Sequence, residues 1–178
     1  MSFKKIVFFP LIVAVLAFLI QIVDQLLSPL MNTLLNLNPG STAEKSFGWI
    51  AFQSWAVYFL ADGTVKGGLK SIIGYSIGIG GSIAIMNLAG VFGPLGFFAV
   101  PLAVSLVACA LIFLERTTWL NFIPAMFIGA GVYFAFMNYV PGATFTNAAI
   151  TELVFCIIGL FFGFATLTLR AAFEKRMK

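Results

Sequence analysis

Two carboxylates interrupt long apolar runs in this chain, Asp24 in the first and Glu152 in the last. An ionisable side chain so placed is costly unless it faces a cavity, a partner or water. Gln21 lies three residues before Asp24 on the same helical face, with Gln25 beside it. Together with Asn87, the two acids predict an outer vestibule that binds a cation or relays a proton. The competing explanation is a ring of interfacial residues wetted by water or headgroups. Other chemistry is poorly supplied. The chain has no His, which excludes His-based acid–base catalysis, His-ligated metal and the usual proton switch near neutral pH. Cys109 and Cys156 are too few for a thiolate metal cage. With no paired catalytic carboxylates near in sequence, the chain is expected not to be an enzyme and to need no cofactor.

A second candidate is the segment Ala61-Asp62-Gly63-Thr64-Val65-Lys66-Gly67-Gly68-Leu69-Lys70. A glycine-rich helix start with lysines can hold a phosphate, but no Gly-Lys-Ser/Thr follows, so the spacing is not a P-loop. Asp62 is expected to pair with Lys66 or Lys70. The aromatics Trp49, Trp119, Tyr133 and Tyr139 fall near the ends of apolar runs, as an interfacial belt requires. Trp55 and Tyr58 sit deeper, with Phe52 and Gln53 nearby. Phe127 and Gly129 follow Pro124, which occupies the first turn of its run or marks a local unwinding that exposes carbonyls.

The elements that position these residues follow from composition. Of 178 residues, 61% are hydrophobic and 9% charged, with a mean hydropathy of +1.07. A soluble domain is about half apolar and about a quarter charged, so the chain belongs in a bilayer. We expect an all-α polytopic bundle forming a single transmembrane domain over residues 1–178. Its six spans run at about 6–27, 47–61, 67–87, 91–114, 119–137 and 147–169. The first is too long for a signal h-region and is expected to remain uncleaved, with Pro10 in its first turns. Residues 28–46 read as a polar connection whose amphipathic first half lies along the membrane surface, with Pro39-Gly40 as a turn signal. Counting basic residues near span ends, one side collects Lys4, Lys5, Lys66, Lys70, Arg116, Arg170, Lys175, Arg176 and Lys178, while the other has Lys45. Both termini are therefore expected in the cytoplasm. The basic residues act as topology signals, not as a nucleic-acid surface.

Spans two and five share a string. At an offset of 75, Phe52, Val57, Tyr58 and Phe59 meet Phe127, Val132, Tyr133 and Phe134, and Ser54 meets Gly129. Spans three and six share Ile72-Ile73-Gly74 with Gly78 against Ile157-Ile158-Gly159 with Gly163. These spans run in opposite directions, so the pattern predicts a 3+3 inverted repeat, an arrangement common in transporters. Chance matching among many Phe and Gly residues is the alternative. Gly74 with Gly78, and Gly159 with Gly163, each lie on one helix face and permit close backbone approach. Ser76, Gly80 and Ser82 extend the small surface on span three. These faces serve either a homo-oligomer seam or packing within one protomer.

The stretch from Trp49 through Phe59 to Lys66-Gly67-Gly68-Leu69-Lys70, followed by Phe122-Ile123-Pro124 and Phe127-Ile128-Gly129, resembles the YcdZ-like bacterial inner-membrane proteins, domain-of-unknown-function family 1097. The resemblance covers Trp49 to the sixth span, and the segment before Ser46 looks longer than the family's usual start. It implies a polytopic inner-membrane protein and supplies no catalytic residue.

The expected function is a channel or transporter for a small neutral or weakly polar solute. Phe52, Gln53, Trp55, Tyr58, Phe127 and Gly129 form its narrow region, with Glu152 and Asp24 at the outer mouth. Expected partners are the lipid bilayer, the solute and further copies of the chain. A non-transporting scaffold or accessory subunit is the alternative.

Overall fold

The computed structural model describes residues 3–38 and 45–176; the turn signal Pro39-Gly40 and Lys178 lie outside them. Within the described residues the chain is all helical, with α1 (Phe3–Leu34), α2 (Gly48–Leu60), α3 (Val65–Val91), α4 (Ala99–Ile112), α5 (Ile123–Tyr139) and α6 (Phe145–Arg176). Two 3-10 segments, Gly93–Phe98 and Phe113–Arg116, flank α4. The first of these turns at Gly96, whose φ of 56° falls in the left-handed region that glycine enters without steric cost.

Among the described residues, four segments are long and apolar enough to cross a bilayer: Phe8–Leu34, Val65–Val91, Gly93–Arg116 and Phe145–Arg176. The protein is thus a multi-pass membrane protein. The expected second and fifth spans correspond to shorter helices. α2 has 13 residues and α5 has 17. At about 1.5 Å rise per residue these cover roughly 20 and 26 Å, less than the ~30 Å hydrocarbon layer.

The boundaries shift for local reasons. α1 continues seven residues beyond the expected end at Leu27, through Pro29, so the segment from Ser28 to Leu34 is helix and not a surface connection. Asp24, Ser28 and Asn32 recur four apart on one face and are all buried, which holds the helix together past the proline. Pro10 lies two turns inside α1, not in its first turn. α3 begins at Val65 because the Thr64 hydroxyl accepts from the Gly67 N–H at 2.9 Å, an ordinary N-cap. Pro124 sits in the first turn of α5, where its missing N–H leaves nothing unpaired; no unwinding occurs there. α6 runs on to Arg176, with an exposed Arg170–Glu174 pair at 2.9 Å in its last turns.

Packing is dominated by two helix pairs, α2 against α6 and α3 against α5. α1 covers α6, and α4 covers α3. Lipid gives helices little hydrophobic reason to associate, so small residues that admit close approach decide where they cross. Gly159 lies against the Ala51 carbonyl and the Ser54 hydroxyl of α2, and Gly163 against Tyr58. Gly74 lies against Ala125 and Met126 of α5, and Gly78 against Met126 and Ala130. All four glycines are buried inside the protomer, so a homo-oligomer seam through them is not available. Ser82 also faces inward, donating to the Ala130 carbonyl at 3.2 Å, whereas Ser76 and Gly80 face outward.

Contacts between distant segments define the two ends of the bundle. At one end Arg170 lies 4.7 Å from the Phe9 ring centroid and Phe8 stacks on Phe173. Gly63 touches Leu167 at the same end. Lys66 sits over Trp119 and Lys70 donates to Asn121 at 2.8 Å. At the other end the Asn38 N–H donates to the Pro141 carbonyl at 2.8 Å, and the Asn32 amide to the Lys45 carbonyl at 2.8 Å. Lys66, Lys70 and Arg170 therefore share one end and Lys45 occupies the opposite one.

Candidate functional site

In the phosphate-loop candidate both glycine N–H groups at the helix start are already taken. The Gly67 N–H is held by Thr64 Oγ1 and the Gly68 N–H by the Thr64 carbonyl. Asp62 is exposed and turns outward at φ 60°. It pairs with neither lysine, because Trp119 and Asn121 engage them instead.

The residues expected to form a narrow region divide into two sets. Phe52, 37% exposed, and Phe127, 51% exposed, lie on the outside of the bundle, as does Gln53. Trp55, Tyr58 and Gly129 are buried and committed to packing. The Trp55 indole N–H donates to Thr166 Oγ1 at 3.0 Å. Tyr58 fills the surface of Gly163, and Gly129 receives the backbone of Tyr75. These six side chains do not converge on one channel within a protomer. Phe127 instead helps to line an apolar groove of about 210 Å³ with Val104, Leu111 and Phe134. Of the expected aromatic belt, Trp119 and Tyr139 are exposed, at opposite ends of the bundle, while Tyr133 is buried and does not belong to it.

The polar residues near the Lys45 end also separate. Asn87 is exposed on α3 and joins neither acid. Asp24 is buried but fully engaged. Its carboxylate accepts from the Ser28 and Ser46 hydroxyls and from the Phe47 N–H at 3.1 Å, the residue that precedes α2. Ser28 Oγ accepts from the same N–H at 3.0 Å. An acid that serves the donors at a helix start is favoured there by the helix dipole as well. Asp24 ties α1 to the start of α2 and is not part of an open mouth. Around it, Asn32 donates to the Ser28 and Lys45 carbonyls, and Asn147 caps α6 while reaching the Leu35 and Gly142 carbonyls.

Glu152 is the opposite case. It is 0% exposed, two turns into α6, and neither of its carboxyl oxygens has a hydrogen-bond partner among the described residues. Tyr75 of α3, Tyr133 of α5 and Cys156 of α6 lie within electrostatic reach of it. The Tyr133 hydroxyl donates to the Phe145 carbonyl at 2.9 Å. The Tyr75 hydroxyl, also fully buried, has no partner among the described residues. An unpaired ionised carboxylate in an apolar interior costs on the order of tens of kcal/mol by continuum reckoning. Two orphaned polar groups on packed neighbouring helices are exceptional in a native interior and call for a functional account. Glu152 was visible in the sequence as an acid in an apolar run; Tyr75, a polar aromatic inside a glycine-rich helix, was passed over. Its signal was the phenol itself, set one residue after Gly74 in an otherwise apolar run.

No curated protein and no solved structure matches the chain. The family described as protein of unknown function (DUF1097) matches residues 11–169. The match takes in most of α1 and the loop before α2, which the resemblance had left outside. Since it spans all six helices that build and surround the Glu152 centre, the chain belongs to the DUF1097 family of proteins of unknown function.

Proposed function

We propose that the protein is a transport protein of the bacterial inner membrane that passes a small neutral or weakly polar solute. In this reading six helices cross, both termini are cytoplasmic, and two three-helix halves are inverted repeats. The observation that carries it is the pairing of α2 with α6 and of α3 with α5 at matching positions. An offset of 75 takes Ser54 to Gly129, and an offset of 85 takes Gly74 to Gly159. Ser54 meets Gly159, while Gly129 and Ala125 meet Tyr75 and Gly74. The same exchange takes α1 against α6 to α4 against α3. α2 and α5, the two helices outside the four span-length segments, fall in corresponding positions, and short apolar segments in corresponding places of two halves point to a transporter's binding region. Clustering of Lys66, Lys70 and Arg170 at one end supports a cytoplasmic placement of that end.

Association with further copies belongs to the same proposal and would use the outward Ser76 and Gly80 face of α3. We assign the protein no catalytic role and no cofactor. Purified protein in liposomes should speed the passage of at least one of urea, ammonia, glycerol and water over empty vesicles, as read by stopped-flow scattering. If none passes faster, the scaffold reading replaces this one. Accessibility of tags at the two termini from opposite faces would remove the inverted repeat.

A further inference from the structure

Passive passage of a neutral solute has no use for Glu152. We propose that its carboxyl group, together with the orphaned Tyr75 hydroxyl of the neighbouring helix α3, is the binding site for one proton, released when the two helix pairs shift against each other. The proposal rests on the transport reading above, and its first test needs no solute.

The surroundings select the proton. Glu152 rides on the α2–α6 pair and Tyr75 on the α3–α5 pair. The elements packed against α6 are α1, α2, α3 and α5. α1 brings Asp24, already held by Ser28, Ser46 and Phe47. α2 has no charged residue and contributes only Tyr58 as a titratable group. Lys66 and Lys70 of α3 are at the far end, against Trp119 and Asn121. α5 brings Tyr133, whose hydroxyl is given to Phe145, and the exposed Tyr139. On α6 itself Cys156 is buried nearby, while Arg170 and Glu174 pair at the opposite end and Lys175 and Arg176 follow them. No cationic side chain reaches the carboxyl among the described residues. A metal ion would need several oxygen ligands, and no cluster of three acidic, Cys or His groups exists among the described residues. The hydroxyl of Thr151 donates to the Asn147 carbonyl. One proton on one carboxyl oxygen neutralises the site without any further ligand.

Release is an acid dissociation: the Glu152 O–H bond breaks, its electron pair stays on the carboxylate and the proton passes to water. The bare carboxylate then requires a donor, and the unpartnered Tyr75 hydroxyl is the one at hand. A movement between the two helix pairs that brings them into hydrogen bond would link proton loss to a change of conformation.

Infrared spectroscopy of the full-length protein in lipid vesicles tests this. At neutral pH we expect a protonated-carboxyl C=O stretching band that disappears in Glu152→Gln and persists in Glu174→Gln, an exposed acid. Raising the pH should remove the band, and Tyr75→Phe should move that transition to higher pH by withholding the donor from the carboxylate. Glu152→Asp should retain a shifted band, which separates loss of the proton from loss of the fold. No band assignable to Glu152 at neutral pH overturns the proposal, as does a band unaffected by Tyr75→Phe. A carboxylate spectrum that shifts on adding sodium or ammonium overturns it in favour of a bound cation. Vesicle flux is a separate readout: its absence beside an intact band removes the transport reading, not the proton site.

Discussion

Asp24 and Glu152 are both acids set into apolar helices and both are buried, at 3% and 0% exposure, yet they have opposite surroundings. Asp24 meets two hydroxyls and a backbone N–H at the start of α2. Glu152 meets no donor at all among the described residues. Burial of a charge is therefore not the informative quantity. What separates an architectural acid from a functional one is whether the fold supplies hydrogen bonds for its ionised form. The fold spends Asp24 on joining α1 to α2, and it leaves Glu152 in the interior where the two main helix pairs meet.

The sharpest way to break that comparison is to remove the acid that the fold uses. Asp24→Ala leaves the Ser28 and Ser46 hydroxyls without their acceptor and the Phe47 N–H with Ser28 Oγ alone. Hydrogen bonds to a charged group contribute about 1.5–3 kcal/mol each, and with water able to reach the half-exposed Ser46 side, we expect a total loss of roughly 3 kcal/mol. Thermal or denaturant unfolding in detergent reads this directly. Stability equal to the parent protein would mean that the Asp24 cluster contributes nothing, and the distinction between the two acids would fail.

How far sequence reaches depends on the same distinction. Asp24 and Glu152 were equally legible as acids in apolar runs, and the helical class followed from composition. Nothing in the one-dimensional pattern says that Ser46 and Phe47, more than twenty residues on, return to serve Asp24. The glycine spacing identified faces that pack, but which helix fills them depends on the tertiary crossing: Gly159 takes Ala51 and Ser54, not a second protomer. Phe52 and Phe127 matched as a pair and are alike in the structure as well, both facing outward. Their equivalence was legible and their direction was not, because an apolar helix with no polar face has no periodicity to orient it. In α1, Pro29 reads as a helix end, and the buried Asp24–Ser28–Asn32 face overrides it.

Two smaller substitutions sharpen the Asp24 half. A Cβ at Gly48 would stand 2.9 Å from the Asp24 carboxyl carbon and one of its oxygens, so Gly48→Ala must push the carboxylate off the Phe47 N–H. Overpacking of this kind costs about 1–3 kcal/mol, and Asp24 being a short, fixed side chain argues for the middle of that range. Ser28→Ala should cost about 1 kcal/mol, the usual net value of one hydrogen bond. Combined with Asp24→Ala it should add far less than its own cost, since the two share the Phe47 N–H. Full additivity in that double-mutant cycle would show that Ser28 and Asp24 act independently.

The smallest expected effect is the most discriminating. Glu152→Gln keeps the shape of a carboxyl that makes no hydrogen bond, and Glu152→Leu replaces it with an apolar group of similar size. Removing an unpartnered polar group from an interior is neutral or stabilising. The glutamine variant should stay within about 0.5 kcal/mol of the parent, the range of substitutions that disturb no named interaction, and the leucine variant should unfold at the same temperature or higher. Tyr75→Phe, which deletes the other orphaned oxygen, should behave in the same way. A marked loss in all three would mean that these groups are hydrogen-bonded to each other or to ordered water in the bilayer. Glu152 would then join Asp24 as part of the architecture. If all three hold their stability, the fold has no need of the acid and the phenol where the two helix pairs meet, and the contrast with Asp24 stands: what the fold does not require there, the proton site does.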